Sequence, residues 1–159
     1  MKYTLLFAVL CFVACEVKAA PNNIHDLKSD LVVPALTDEK PSAGKRVRQT
    51  NPGYEGWELA HVLYLPTDWK AGSKYPVLVE YPGNGGYENK LGDRSPGRVE
   101  DCKLGYGLSE GKGFIWVSLP FVDPKTKKHS LQWWGDPDAT TAYCRQTVAR
   151  ICKDYGGDT

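Results

Sequence analysis

The sequence predicts an α/β fold of the three-layer, doubly wound kind, of which residues 57–159 form the N-terminal portion. Three observations carry this. Trp57 to Leu65, WELAHVLYL, alternates side chains and is rich in strand formers. Gly113 to Pro120, GFIWVSLP, is a nearly continuous apolar run of strand length, as expected of a strand covered on both faces. Asp136-Pro137-Asp138 opens a helix that a double glycine closes. Strand, loop, strand, loop, helix is the order of a doubly wound domain, whose helix should deliver the chain to a further parallel strand; no such strand is read before Thr159, so the sheet is expected to be incomplete.

Element by element, Lys2 precedes an apolar run, Leu5 to Ala14, too short to span a bilayer and of the length of a signal h-region. Val17-Lys18-Ala19 fits a peptidase site, so residues 1–19 are expected to be a signal peptide and the protein to be exported, secreted or periplasmic. The rival is a lipoprotein anchored at Cys15, since Phe12-Val13-Ala14-Cys15 resembles a lipobox with Phe12 in place of the usual leucine. Residues 20–56, proline-bearing and polar, read as an extended linker. After the first strand, Thr67 to Lys74 is a polar turn and Tyr75 to Tyr81 a second strand running into Pro82-Gly83. Pro96 to Leu104 carries a weak helical signal, and Phe121 to Gly135 reads as a loop. The helix from Asp136 should end near Tyr155, with Tyr143, Val148, Ile151, Cys152 and Tyr155 buried and Arg145, Arg150 and Lys153 facing water.

Removing residues 1–19 takes away Lys2, Lys18 and Glu16 and brings the net charge from +1 to zero. A neutral chain without a long basic run offers no electrostatic footprint for nucleic acid or an anionic membrane surface. Cys102, Cys144 and Cys152 remain, so at most one intrachain disulfide forms; Cys144 and Cys152, roughly 12 Å apart along a helix, cannot bridge each other. Cys102 pairs with one of them, or all three are buried thiols. With three distant cysteines and only His25, His61 and His129, no metal site is read, and no cofactor is called for.

The chemistry is concentrated in Tyr75 to Gly86, YPVLVEYPGNGG, a strand running into a glycine turn. It resembles the strand and HGGG-like loop of α/β-hydrolases, with Tyr81 and Pro82 where many members carry histidine. The strand at Phe114, a tryptophan-bearing loop and a long helix ending in Tyr155-Gly156-Gly157-Asp158 extend the resemblance to secreted polyhydroxybutyrate depolymerases and feruloyl esterases over residues 57–158. The resemblance implies a three-layer hydrolase-like sheet, N-terminal part only. It also implies an oxyanion hole built from the backbone N–H groups of Asn84 and Gly85, each such donor being worth on the order of 3 kcal/mol of transition-state stabilisation. A plain glycine turn between strand and loop is the alternative. In that group the helix is followed by a strand and a G-x-S-x-G elbow, which places the nucleophile, acid and histidine of an exported serine esterase beyond Thr159.

A literal G-x-S-x-G occurs at Gly107-Leu108-Ser109-Glu110-Gly111, yet nothing like a strand precedes it and a strand rather than a helix follows. Asp123 and His129 follow Ser109 in triad order but crowd into one loop, so Ser109 is read as a decoy. Adjacent Trp133 and Trp134 must point in different directions; they line a substrate cleft, stack on a sugar or aromatic acyl group, or pack in the core. His61, inside a strand, reads as a packed or edge histidine and His129 as a solvated loop residue. The expected partner is a small-molecule or polymeric ester, carbohydrate-linked or not, with no nucleic acid and no membrane span. The competing expectation is a non-catalytic secreted module, a degenerate hydrolase or carbohydrate-binding domain that uses Trp133 and Trp134.

Overall fold

The computed structural model describes residues 27–28, 30–133 and 135–158. The expected signal peptide, the Cys15 anchor and Trp134 lie outside them. Every element below belongs to one compact unit that starts at Leu31.

The elements run β1 (Leu36–Thr37), β2 (Arg46–Gln49), β3 (His61–Tyr64), β4 (Tyr75–Glu80), β5 (Tyr87–Glu88), β6 (Arg94–Ser95), a 3-10 turn (Val99–Asp101), α1 (Leu104–Ser109), β7 (Ile115–Ser118), β8 (Phe121–Asp123), β9 (Lys128–Ser130), α2 (Pro137–Tyr155) and β10 (Gly157–Asp158). Six of the strands make one mixed sheet in the order β1-β2-β3-β7-β4-β10. β2 and β7 lie antiparallel to β3, while β4 is parallel to both β7 and β10.

As its apolar run predicts, β7 is central and buried at all four residues. Register then sorts the side chains onto two faces. Val47, Leu63, Val117, Ile115 and Val77 share one face through the pairs Val47↔Leu63, Leu63↔Val117 and Val77↔Ile115. They pack with Tyr143 and Ile151 of α2 in one core cluster, and full burial of an Ile side chain contributes roughly 2 kcal/mol. Arg46, Tyr64, Trp116 and Leu78 form a row across the opposite face, where Cys102 and Tyr106 cover them. α1 reaches Trp116 closely because Gly105 has no side chain: a Cβ there would lie 2.1 Å from Trp116 Cδ1.

Helix α2 starts and stops as expected. The Asp136 side chain accepts from Ala139 N–H at 2.8 Å, Pro137 occupies the first turn, and Gly156 closes the helix in the left-handed region at φ 76°. Arg150, expected to face water, is half-buried and donates to the Thr50 carbonyl at 3.0 Å and to Asn51 Oδ1 at 2.9 Å.

Other differences have physical causes. Residues 31–56, expected as linker, supply β1 and β2, with Arg46 and Val47 buried, so the sheet begins before Trp57. The 121–135 loop contains the β8–β9 hairpin, paired Phe121↔Ser130 and Val122↔His129. Past α2, Gly157 and Asp158 pair in parallel with Tyr75 and Pro76 and begin the further strand read as missing. Cys102, Cys144 and Cys152 are all free thiols. No helix among the described residues is long and apolar enough to cross a membrane.

Candidate functional site

β4 leads by way of α1, on one face of the sheet, to its neighbour β7, and β7 leads by way of α2, on the other face, to β10. Adjacent parallel strands whose connections leave to opposite faces open a crevice at their carboxyl ends, the place where open α/β sheets bind ligands. Here that crevice lies above the register pair Glu80↔Ser118 and is rimmed by the segment Tyr81 to Gly86.

The rim is held by a junction of three segments. Gly85 N–H donates to the Leu131 carbonyl at 2.7 Å. A Cβ on Gly85 would stand 2.4 Å from that oxygen and 2.9 Å from the Pro96 carbonyl; one on Gly97, itself at φ 74°, would stand 2.2 Å from the same Leu131 oxygen. Glycine is thus required at 85 for close backbone approach, and its donor is engaged within the chain. Asn84 N–H makes no hydrogen bond among the described residues, while the Asn84 side-chain oxygen accepts from Trp133 N–H at 3.3 Å. The structure therefore brings Asn84, Gly85 and Trp133 together. Trp133 is 60% exposed, which excludes core packing for this member of the pair.

Beneath the rim, Glu80 accepts from Leu104 N–H at 3.2 Å, Gly105 N–H at 2.9 Å and the Trp116 indole N–H at 2.8 Å. Arg46 lies over the Trp116 ring, 5.2 Å from its centroid, and donates to the carbonyls of Glu100 at 2.7 Å and Cys102 at 3.2 Å. Burial works against the charge of Arg46, and Glu80, Glu100 and Asp101 offset it. Burial, reinforced by Glu80, pushes the Cys102 thiol up to about 12, so it is held protonated and is a poor nucleophile. Glu80, Arg46 and Trp116 were not singled out from the sequence. The available signal was a glutamate and an arginine on the same face of strands with buried neighbours, which becomes visible only once the register is known.

Ser109 behaves as a structural residue. It ends α1 at 9% exposure, and its hydroxyl donates to the Gly105 carbonyl at 2.8 Å and accepts from Gly111 N–H at 3.2 Å. Neither His61 nor His129 hydrogen-bonds to it. His61 is buried on β3 with Nδ1 2.9 Å from the Tyr143 hydroxyl, and burial, with a smaller push from Arg150, lowers it to about 3. His129, expected as a solvated loop residue, stands half-buried on β9. Its Nε2 is enclosed and without a hydrogen-bond partner among the described residues, and burial holds its proton affinity below the usual imidazole value. It lines a cavity of about 540 Å³ together with Trp57, Ala60 and Leu131. A second cavity, of about 350 Å³, opens against Glu80, Pro82 and Gly83. Among the described residues, no cluster of His, Cys, Asp or Glu side chains is arranged to hold a metal ion.

Comparison with protein families, with curated proteins and with solved structures finds no match for this chain.

Proposed function

We propose that this chain is the N-terminal portion of an exported serine esterase of the α/β-hydrolase kind, contributing the oxyanion-hole loop of a carboxylic ester hydrolase. The observation that carries the reading is the strand order β2-β3-β7-β4-β10, with a glycine-rich turn at the carboxyl end of β4. Resemblance assigns that turn to the oxyanion hole, and it assigns the strand after α2, begun here by Gly157 and Asp158, to the one that feeds a G-x-S-x-G elbow.

In this reading Asn84 N–H is the donor ready for an oxyanion. Gly85 N–H joins it only when the Leu131 carbonyl moves off, so closure of the site is coupled to the 131–133 segment. The nucleophile, acid and base come from sequence following β10; Ser109, held by Gly105 and Gly111, is not the nucleophile.

The first experiment reads the coding sequence downstream of the Thr159 codon. An apolar strand, a G-x-S-x-G and a helix in that order are expected, and mutation of that serine to alanine should abolish hydrolysis of p-nitrophenyl acetate by the longer chain. An open frame continuing without such a segment sinks the esterase reading.

A second reading, a non-catalytic carbohydrate-binding module, draws support from the exposure of Trp133 beside Asn84. Retention on immobilised polysaccharide that Trp133→Ala removes, without ester hydrolysis, selects it.

A further inference from the structure

We propose that the cavity at the carboxyl end of β4 binds the carboxylate of a small organic acid, which makes the ester hydrolysed at the neighbouring loop one that bears a carboxylate. The substrate class rests on the esterase reading, but the binding does not.

The cavity, about 350 Å³, is of a size for a small molecule, and Arg94, Arg98 and Lys103 all line it. None of these three side chains makes a salt bridge or hydrogen bond among the described residues. Two carboxylates share the wall, Glu80 and Asp101. Glu80 is held in place by three N–H donors, and with Asp101 it leaves the three cations one net positive charge, the complement of a single carboxylate. The other large cavity shares Arg98, but its Arg48 pairs with Asp38 and Glu100 and its Lys128 pairs with Glu58.

The remaining walls fit the body of an organic acid. Pro82 and Pro96 present rigid apolar rings, and Gly83 and Gly97 leave the backbone bare. Two guanidinium forks beside such walls match a planar carboxylate on an apolar body, since each fork can hold two oxygens. A phosphate dianion is matched less well, because three cations less the two carboxylates of Glu80 and Asp101 leave one net positive charge against its two. The position adds support: the cavity opens at the carboxyl end of β4, and Pro82 and Gly83, which line it, immediately precede Asn84.

The test titrates the full chain at low ionic strength with benzoate, benzamide and phenyl phosphate, following chemical shifts by NMR. Benzoate is expected to bind with a Kd on the order of 1 mM, as befits so small a ligand, and benzamide about tenfold more weakly. The R94Q/R98Q double variant should lose about tenfold in benzoate affinity. Its Tm should not change, because both guanidiniums are exposed and unpartnered. Should that variant fold poorly, K103Q together with the wild-type comparison of benzoate and benzamide still decides. Equal binding of benzoate and benzamide, no detectable benzoate binding, an unaffected R94Q/R98Q, or phenyl phosphate binding ten times tighter than benzoate would each overturn the proposal. Loss of the benzoate site leaves the oxyanion loop standing, and absence of a downstream elbow leaves benzoate binding standing, so the two readings fail separately.

Discussion

Acidification should destabilise this domain through His61, by an amount that its environment sets. The imidazole is 3% exposed on β3, hydrogen-bonded through Nδ1 to the Tyr143 hydroxyl, and lowered to about 3 by burial and then by Arg150. An unfolded histidine titrates near 6.5. The folded state therefore excludes a proton that the unfolded state takes up. The stability held by the neutral ring is complete above 6.5 and is lost as the pH falls from 6.5 toward 3. Each unit in that window costs about 1.4 kcal/mol, so about 2 kcal/mol is lost between pH 7.5 and pH 5. The assay is urea unfolding of the wild type and of His61→Asn at both pH values. Asparagine retains an acceptor for the Tyr143 hydroxyl but does not titrate. The variant should be weaker at pH 7.5 by about 1 kcal/mol and should show a pH 7.5-to-5 loss smaller than the wild type's by about 2 kcal/mol. Identical losses in the two proteins would refute a buried neutral His61.

Further outcomes follow from the same packing. Gly85→Ala, whose Cβ would meet the Leu131 and Pro96 carbonyls at 2.4 and 2.9 Å, should cost about 2–3 kcal/mol, read as a Tm fall of roughly 6–12 °C; an unchanged Tm would place these segments apart. Glu80→Gln replaces an acceptor that three N–H groups use, and should cost about 1–3 kcal/mol and shift Trp116 emission; unaltered emission would deny the indole contact. Asp136→Ala removes the α2 cap and should cost about 1 kcal/mol in urea unfolding, with Asp136→Ser restoring most of it. Trp133→Ala, at an exposed site, should change stability by less than about 0.5 kcal/mol; a larger loss would mean that the ring packs in the fold.

What could be read in the chain beforehand was what local chemistry dictates. The apolar run at Ile115–Ser118 signals a strand buried on both faces, and Asp136, Pro137 and Gly156 mark the ends of α2 by caps that act within a few residues. β2 escaped because its four residues, Arg-Val-Arg-Gln, look solvated. Arg46 is buried only because Trp116 and the Glu100 and Cys102 carbonyls, all distant in sequence, receive it. α1 escaped because Gly105 and Gly107 depress helix propensity, and the packing of Trp116 that requires Gly105 is a tertiary fact. The strand begun by Gly157 and Asp158 has no propensity signal at all and exists by pairing with β4. In the candidate site the glycine turn was legible, but the partner that occupies the Gly85 donor, the Leu131 carbonyl, was not. Glycine there answers a contact from the far side of the sheet's connections as much as any ligand.

The insertion of β7 between β3 and β4 has a consequence for how the molecule assembles. Consecutive strands β3 and β4 are not neighbours in the sheet, so a nascent chain that pairs them directly makes a trap that must reopen before β7 can enter. Until β7 arrives, Trp116 has no seat, Tyr64 of β3 and Leu78 of β4 border an empty slot, and the edge of β4 is open to other chains. The step that fills the slot is thus the one on which yield depends. Variants that weaken β7 should be found as aggregates formed during refolding rather than as native protein of lowered Tm.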